Sequence, residues 1–594
     1  MSQLYHGLKN RIAGTNPRSF IGPLLISVVA AVIASRYGGT VSSASHDCRS
    51  IPGDSSWPER SIWADLNTTL HGKLIASVPI AAPCHKTVQG EANPLFDEER
   101  CASLRDHWFY PETHLPDPSS PMAYPFSNNS CNPFLDHDTP CTLGSHPVYT
   151  INATSTADFQ AAIRFVKDHN IRLVIRNTGH DYLGKSTGAH SLSVWTHYMK
   201  SIQLLQYSSP GYTGPALKVG AGVETLEAYK FAASHGLVVI GGNCPTVGLA
   251  GGFTQGGGHG PLASKYGLSA DQVLEWEVVT GTGEIITATA TQNEDLFWAL
   301  RGGGGSTFGI VSSLTVKAFP DTSTSMATLM IINDGTNTDS LYSAIGTFIR
   351  DALPGLVDAG AFVVWVAAPF GFLLTPAIAP GVAVADLDRL LQPLTTRLDD
   401  LGLAYDYSST QYPTFLSSYE VLWKTGSWNV SDYNLGSRLI PRDLATQNTE
   451  AVVDAIRYIS SQTLISGVSY NLSHSVSSPD DVAVNPQFRR ALFSLTLGTP
   501  VDYTDWAATK AAQDKITNDF IPALERITPN GAAYLSEADF QEPNFQQTFY
   551  GNNYGRLLDI KRKYDPNDIF YAKTAVGSDK WAENAEGRLC RATA

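Results

Sequence analysis

Basic side chains are the minority in this sequence, with 41 Lys and Arg against 55 Asp and Glu and a formal net charge of −14. Recognition of a polyphosphate chain runs on concentrated positive charge, so this balance argues against a nucleic-acid partner, and solubility is sufficient to explain it. The 15 histidines are dispersed without ligand spacing, which argues against a metal centre. The apolar run over residues 20–34, preceded by Lys9, Arg11 and Arg18, falls short of the about 20 residues that span a bilayer. It suits the core of a signal peptide, with Val32-Ile33-Ala34 as cleavage site, although the long basic segment before it leaves an uncleaved signal anchor as the alternative. Residues 1–45 are therefore read as a leader into the secretory pathway.

Cysteine is scarce and odd in number, seven in all. Six make three disulfides in an oxidising compartment and one is left to be explained. Cys244, the only one inside the glycine-rich core, is that thiol by position. Cys131 with Cys141 and Cys84 with Cys101 are the easy local pairings, leaving Cys48 with Cys590, a connectivity that sequence does not prove. Sequons at Asn67, Asn128, Asn152, Asn429 and Asn471 agree with secretion.

What is abundant is apolar surface and glycine. A 43% hydrophobic fraction with 10% aromatics over 594 residues predicts two or three compact units. Residues 46–146 read as a loop-dominated extension fastened by disulfides. From 147 the pattern sharpens into strand, glycine loop and helix in alternation, the mark of an α+β or α/β body. Ser155 and Asp158 have capping-box spacing. Strands are predicted over 172–176, 217–219, 237–240 and 273–280, and a helix over 224–234 with Gly236 as its stop. Glycine loops cease after Pro320, and 321–525 alternates strands and helices as a second domain. A helix over 556–561 is predicted to end before Pro566.

His180 follows the apolar strand in Asn177-Thr178-Gly179-His180-Asp181, and Cys244 sits in a second glycine turn, Gly241-Gly242-Asn243-Cys244-Pro245. Read alone, these are a loop histidine and a buried thiol, or two side chains able to bond a flavin. The glycine concentration over 248–260 lets backbone approach a ligand and expose N–H groups to phosphate. A dinucleotide fingerprint fails there on spacing, because the glycines are contiguous and Pro261 follows at once.

The chain resembles the berberine-bridge-enzyme-like branch of the vanillyl-alcohol oxidase superfamily, flavoenzymes with a PCMH-type FAD-binding domain. The motifs that carry the resemblance run in family order: Asn177-Thr178-Gly179-His180-Asp181-Tyr182, Ser186-Thr187-Gly188, Cys244-Pro245-Thr246-Val247-Gly248, Gly256-Gly257-Gly258-His259-Gly260, Tyr266-Gly267-Leu268-Ser269-Ala270-Asp271, Asp295 through Gly304, and Asn553-Tyr554 through Asp565-Pro566. The resemblance implies an α+β fold: a split FAD domain made of 147–320 and 526–594, and a substrate domain, 321–525, with an antiparallel sheet backed by helices. It implies FAD bonded at its 8α-methyl to His180 and at C6 to Cys244. The cradle would be drawn from Asn177, Gly179, Asp181, Gly184, Ser186, Thr187, Thr246, Gly248, Gly252, Gly256, Gly257, His259 and Gly260, with Asn553 and Tyr554 facing the flavin. Gly303 and Gly304 are cradle or turn.

The reaction implied is hydride transfer from a substrate carbon to the flavin, with dioxygen as the reoxidant. Gly242 leaves the flavin face open where relatives carry bulkier residues, which favours an oxidase. Sugar- and alcohol-oxidising relatives use a tyrosine in the pattern Ala-Tyr-x-Asn-Tyr as base. Here Ala533-Tyr534-Leu535-Ser536-Glu537 puts Glu537 at that place, as a carboxylate base or as an edge residue. Glu537 and Tyr554 are thus the catalytic candidates, with Tyr550 a weaker one, and Trp428, Tyr433, Arg438 and Arg442 are candidates for the pocket wall. The expected partners are a small organic substrate of secondary metabolism and dioxygen, with no stable protein partner implied. A secreted mono- or oligosaccharide oxidase and a catalytically silent flavin-binding protein are the alternatives.

Overall fold

Asp158 accepts the Ser155 N–H at 3.0 Å and so caps the helix Thr156–Asp168 as the spacing predicts, with Asp in the place more often held by Glu or Gln. The computed structural model describes residues 48–333, 335–423, 429–473 and 480–592. The leader expected over 1–45 and Trp428 lie outside the described residues. The capped helix buries Phe159, Ala162, Ile163 and Val166 against a four-stranded sheet. In that sheet Tyr149–Asn152, Leu192–Trp195 and Leu173–Arg176 run parallel, and Leu74–Ala76 joins the edge antiparallel. A five-stranded antiparallel sheet follows, in the order Ile285–Thr289, Val273–Thr280, Gly309–Lys317, Tyr212–Gly220, Ile202–Ser209.

The C-terminal segment returns to this body. Its helix Tyr554–Tyr564 stops at Asp565, ahead of Pro566. The buried Asp565 carboxylate accepts from the Lys561 ammonium at 2.9 Å and from the Ile569 and Phe570 N–H groups at 2.8 and 2.9 Å. Lys561 also donates to the Thr307 carbonyl at 3.1 Å, so a fully paired internal charge locks the segment to the strand that begins at Gly309.

A seven-stranded antiparallel sheet forms the second body, in the order Asp406–Tyr412, Thr324–Ile332, Gly371–Pro380, Phe362–Ala368, Leu464–Ser469, Ala491–Pro500, Tyr433–Pro441. Helices Thr338–Thr347, Val384–Asp400, Thr449–Ser460 and Ile521–Ile527 cover one face and share a core with Val363, Trp365 and Leu495. The other face, carrying Phe362 and Val364, packs toward the glycine loops. The bidentate pair of Arg489 with the fully buried Asp271, 2.6 and 2.8 Å, fastens this body to the glycine-loop body.

The extension is more regular than its composition suggests. It contains the ten-residue helices Arg60–Thr69 and Glu98–His107. Disulfides join Cys84 to Cys101, Cys131 to Cys141 and Cys48 to Cys590, and Cys244 is free. Of the sequons, Asn128 is exposed, whereas Asn471 is buried and donates to Asp358 at 2.7 Å. Among the described residues, no helix is long and apolar enough to cross a membrane and no cluster of His, Cys, Asp or Glu is placed to hold a metal ion.

Candidate active site

The two glycine turns open onto one cavity of ≈ 330 Å³ between the glycine-loop body and the seven-stranded sheet. The strand Leu173–Arg176 delivers the first turn. Gly179 holds φ +90°, where a Cβ would strike the Arg176 guanidinium, so glycine is required there. Asp181 braces the turn by accepting from the N–H groups of Leu183, Lys185 and Ser186. The second turn follows Leu237–Val238, and Gly260 brings the loops together: a Cβ on it would stand 1.9 Å from the Gly241 carbonyl oxygen.

His180 and Cys244 meet across a single hydroxyl. Thr246 Oγ1 lies 2.7 Å from His180 Nε2 and 3.6 Å from Cys244 Sγ. Burial, reinforced by Arg176 and His114, lowers the His180 pKa to about 3, so the ring is neutral and carries one N–H. With that proton on Nε2, shared with Thr246, the Nδ1 lone pair is left for bonding. Burial pushes the Cys244 thiol up to about 11, and contacts with the Thr246 backbone and hydroxyl oppose the rise.

The wall suits FAD. Lys185 Nζ is buried on the cavity side without a hydrogen-bond partner, and burial lowers its pKa to about 8, which marks a position for a negative group. Asn177 Oδ1 and Asn243 Oδ1 are likewise unpartnered. Asn177 donates to Thr196 Oγ1 at 3.1 Å and lies so close under the glycine loop that a Cβ on Gly248 would stand 1.9 Å from its oxygen. At Gly252 a Cβ would meet nothing within 4 Å, leaving open backbone on the cavity wall.

Glu537 is on the same wall, partly exposed, in a turn rather than a strand. His259 Nε2 lies 3.4 Å from its Oε2, and the imidazole packs among Phe362, Tyr470 and Tyr534 with Nδ1 unpartnered. Burial raises the Tyr182 pKa above its usual value, with the nearby Cys244, Glu537 and Asp432 adding to the shift. Tyr182 lines the same cavity as His180, Cys244 and Glu537. A carboxylate, a neutral imidazole, a free thiol and a lysine Nζ without a hydrogen-bond partner line one space.

Other expected residues lie elsewhere. The Tyr554 hydroxyl donates to Asp579 at 2.7 Å, and Asn553 donates to the Ala483 and Val484 carbonyls at 3.2 Å, so neither faces the cavity. Tyr550 is core, its hydroxyl on the Thr574 carbonyl at 3.0 Å. Gly184 makes room for the Phe126 ring, Thr187 donates to the Ser145 carbonyl at 2.7 Å, and Gly256 lets Ser536 approach. Gly257 and Gly260 likewise shape the loop without lining the space. Gly303 packs on Phe308 and Gly304 turns at φ +90°, while Gly305 and Ser306 reach the cavity. Arg438 is buried against Thr528 and Arg442 pairs with Asp358 at the surface, leaving Tyr433 on the wall. Lys185, Tyr182 and Tyr534 also line the cavity, inside or beside motifs that do not single them out.

A family model described as FAD binding domain matches residues 147–289, and one described as berberine and berberine like matches residues 533–577. The FAD-linked oxidoreductase sor8 of Hypocrea jecorina is 44% identical over 552 residues, 93% of this chain and 94% of that protein. The VAO-type flavoprotein oxidase VAO615 of Thermothelomyces thermophilus is 42% identical over 562 residues, covering 92% and 96%. The crystal structure of VAO-type flavoprotein MtVAO615 from Myceliophthora thermophila C1 superimposes with a TM-score of 0.87 at 38% identity, covering 92% of this chain and 100% of the other. The chain belongs to the berberine-bridge-like, VAO-type family of FAD-linked oxidoreductases, has its α+β PCMH-type fold, and is an FAD-dependent oxidoreductase.

Proposed function

We propose that the enzyme is an oxidase that takes a hydride from a carbon of a small organic substrate, with Glu537 as general base and FAD held covalently by His180 and Cys244. The observation that carries this reading is the shared wall: Glu537, His180 and Cys244 line one cavity. Bound FAD supplies acceptance of the hydride and return of the two electrons to dioxygen, which leaves as hydrogen peroxide. Lys185 then neutralises part of the cofactor's negative charge, and Asn177 and the open backbone at Gly252 contact it. Glu537 takes the proton from the substrate oxygen or nitrogen while the carbon loses its hydride, and His259 orients the carboxylate.

The cofactor-binding unit of this reading is 147–320 with 526–594, and the substrate unit is 321–525. The leader over 1–45 directs the chain into the secretory pathway, which three disulfides support. The fungal relatives support a role in secondary metabolism.

Denatured protein should remain yellow and fluorescent on a gel, with peptide mapping finding flavin on His180 and Cys244; His180→Ala should keep attachment through Cys244 alone. Glu537→Gln should slow anaerobic flavin reduction by about 10²–10⁴-fold, the usual worth of a general base. An unchanged reductive rate removes Glu537 from the chemistry. A flavin that no substrate bleaches favours a silent binding protein.

A further inference from the structure

The turn that carries Cys244 has its carbonyls held by donors from both bodies. The helix Thr225–Ala233 begins against it: the Thr225 N–H donates to the Val247 carbonyl at 2.9 Å and the Leu226 N–H to the Pro245 carbonyl at 3.0 Å. These are N–H groups that a helix start leaves without an intrahelical partner. The same helix carries Tyr229, whose hydroxyl donates to the Gly242 carbonyl at 3.2 Å. The Asn243 carbonyl is reached from the other body, where Tyr419 on the helix Phe415–Leu422 donates to it at 2.9 Å. That helix is fixed at its start: Thr414 Oγ1 accepts from the Ser417 N–H at 3.1 Å, and the Phe415 N–H donates to Asp321 at 3.0 Å. Tyr229 and Tyr419 are both buried, their rings edge to face with centroids 4.8 Å apart. Phenylalanine would keep that ring contact, so the distinct contribution of the two hydroxyls is their hold on consecutive carbonyls, those of Gly242 and Asn243.

We propose that Tyr419 is a positioning residue for Cys244, holding Sγ in the direction from which it bonds the flavin. The Asn243 carbonyl lies in the same planar peptide unit as the Cys244 N–H. Fixing that plane fixes the backbone rotation at Cys244 and with it the direction of the side chain. Because the donor belongs to the seven-stranded-sheet body, attachment at Cys244 depends on the two bodies being docked. Attachment at His180 does not, since its turn is braced by Asp181 and by Arg176, which donates to the His114 carbonyl of the extension at 3.2 Å. The inference rests on the reading of Cys244 as a flavin tether. In that step the thiol S–H and the flavin C6–H are exchanged for one S–C6 bond. The two protons and two electrons released pass to dioxygen, which becomes hydrogen peroxide.

The test compares wild-type holoenzyme with Tyr419→Phe, both harvested at the same early time, and quantifies the flavin-bearing peptides of His180 and Cys244 by mass spectrometry. A maleimide added to the denatured protein counts the Cys244 thiol left unbonded. Tyr419→Phe should lower the flavin on Cys244, relative to that on His180, by about tenfold, the worth of one buried hydrogen bond, and maleimide labelling should rise to match. A packing role alone would lower Tm without moving that ratio. Thr414→Ala tests the same link from the exposed helix cap, with the ring and hydroxyl intact, and should lower the ratio severalfold. An unchanged ratio in Tyr419→Phe overturns the inference, as does an equal fall at His180 and Cys244. Where that variant does not fold, an unchanged ratio in Thr414→Ala overturns it. Wild-type protein with no flavin on Cys244 removes the tether reading and the inference with it, so the two failures are distinguishable.

Discussion

The indole N–H of Trp108 donates to the hydroxyl of Tyr503 at 2.8 Å, and that hydroxyl donates in turn to the Ser431 carbonyl at 2.6 Å. One oxygen thus joins the disulfide-rich extension to the segment whose next residues, Asp432 and Tyr433, line the cavity. Two further bonds repeat the connection: the Val430 N–H on the Phe109 carbonyl at 2.9 Å, and Ser431 Oγ on the Met122 carbonyl. Tyr503→Phe removes the oxygen and leaves a buried N–H and a buried carbonyl unsatisfied, at a cost of about 1–3 kcal/mol. The expected result is a lower Tm and a raised KM, with flavin content unchanged, measured by thermal unfolding and steady-state kinetics.

Thr246 Oγ1 is the hydrogen-bond partner of His180 Nε2. Thr246→Val keeps the shape and removes the hydroxyl, so His180 Nε2 and Cys244 Sγ both lose a hydrogen-bond partner. Loss of a hydrogen bond worth about 1–1.5 kcal/mol corresponds to about tenfold. Flavin bonded to His180, quantified by peptide mapping, should fall by about that factor within a fixed incubation, and Thr246→Ser should restore it. Equal attachment in the valine variant would show the hydroxyl to be a packing group only.

Gly242 lies on the cavity wall, and a Cβ there would come 3.3 Å from the Phe253 ring, a contact that needs only a small displacement. Gly242→Ala should therefore fold. If access of dioxygen to the flavin passes this point, reoxidation after anaerobic reduction should slow by about tenfold, or about 1.4 kcal/mol, with the reductive rate unchanged. Stopped-flow mixing with oxygenated buffer measures both.

Acid should destabilise the enzyme through buried imidazoles. Burial lowers the pKa of His114 to about 4, partly opposed by its bond to the Trp108 carbonyl, and burial together with Lys200 and Arg176 lowers that of His197 to about 4. The unfolded chain, with histidines near the ordinary 6.5, binds protons that the folded chain refuses. This part of the stability is complete above pH 6.5 and is lost as pH falls toward 4, at about 1.4 kcal/mol per pH unit for each proton. Urea midpoints taken from pH 7.5 to 4.5 should decline, and His114→Asn should flatten the decline.

Local signals in the sequence were strong around the cofactor. The reciprocal spacing of Ser155 and Asp158 and the strand into His180 depend on neighbours a few residues apart, and the odd thiol at Cys244 follows from the count of cysteines; the structure has the cap, the strand and the free thiol. The substrate wall was illegible for a physical reason. Phe362–Ala368 is buried on both faces, so its residues form a continuous apolar run and nothing marks Phe362 and Val364 as facing the cavity while Val363 and Trp365 face the helices. The bond between Trp108 and Tyr503 spans 395 positions and has no local signature. The motif names Tyr554 but not its rotamer, and Asp579 accepts from its hydroxyl. The extension helix Glu98–His107 has no apolar stripe to mark it, because it buries little beyond Cys101.

Cys48 and Cys590 are bonded across 542 positions, nearly the full described length. The polypeptide is in consequence a closed loop. A single proteolytic cut anywhere between the two cysteines opens the loop without releasing a piece, so a nicked molecule keeps its full mass until a reductant is added. The disulfide-rich extension and the C-terminal segment, far apart along the chain, are thereby held as neighbours by a covalent bond as well as by packing, and the molecule can take one cut between them without losing either.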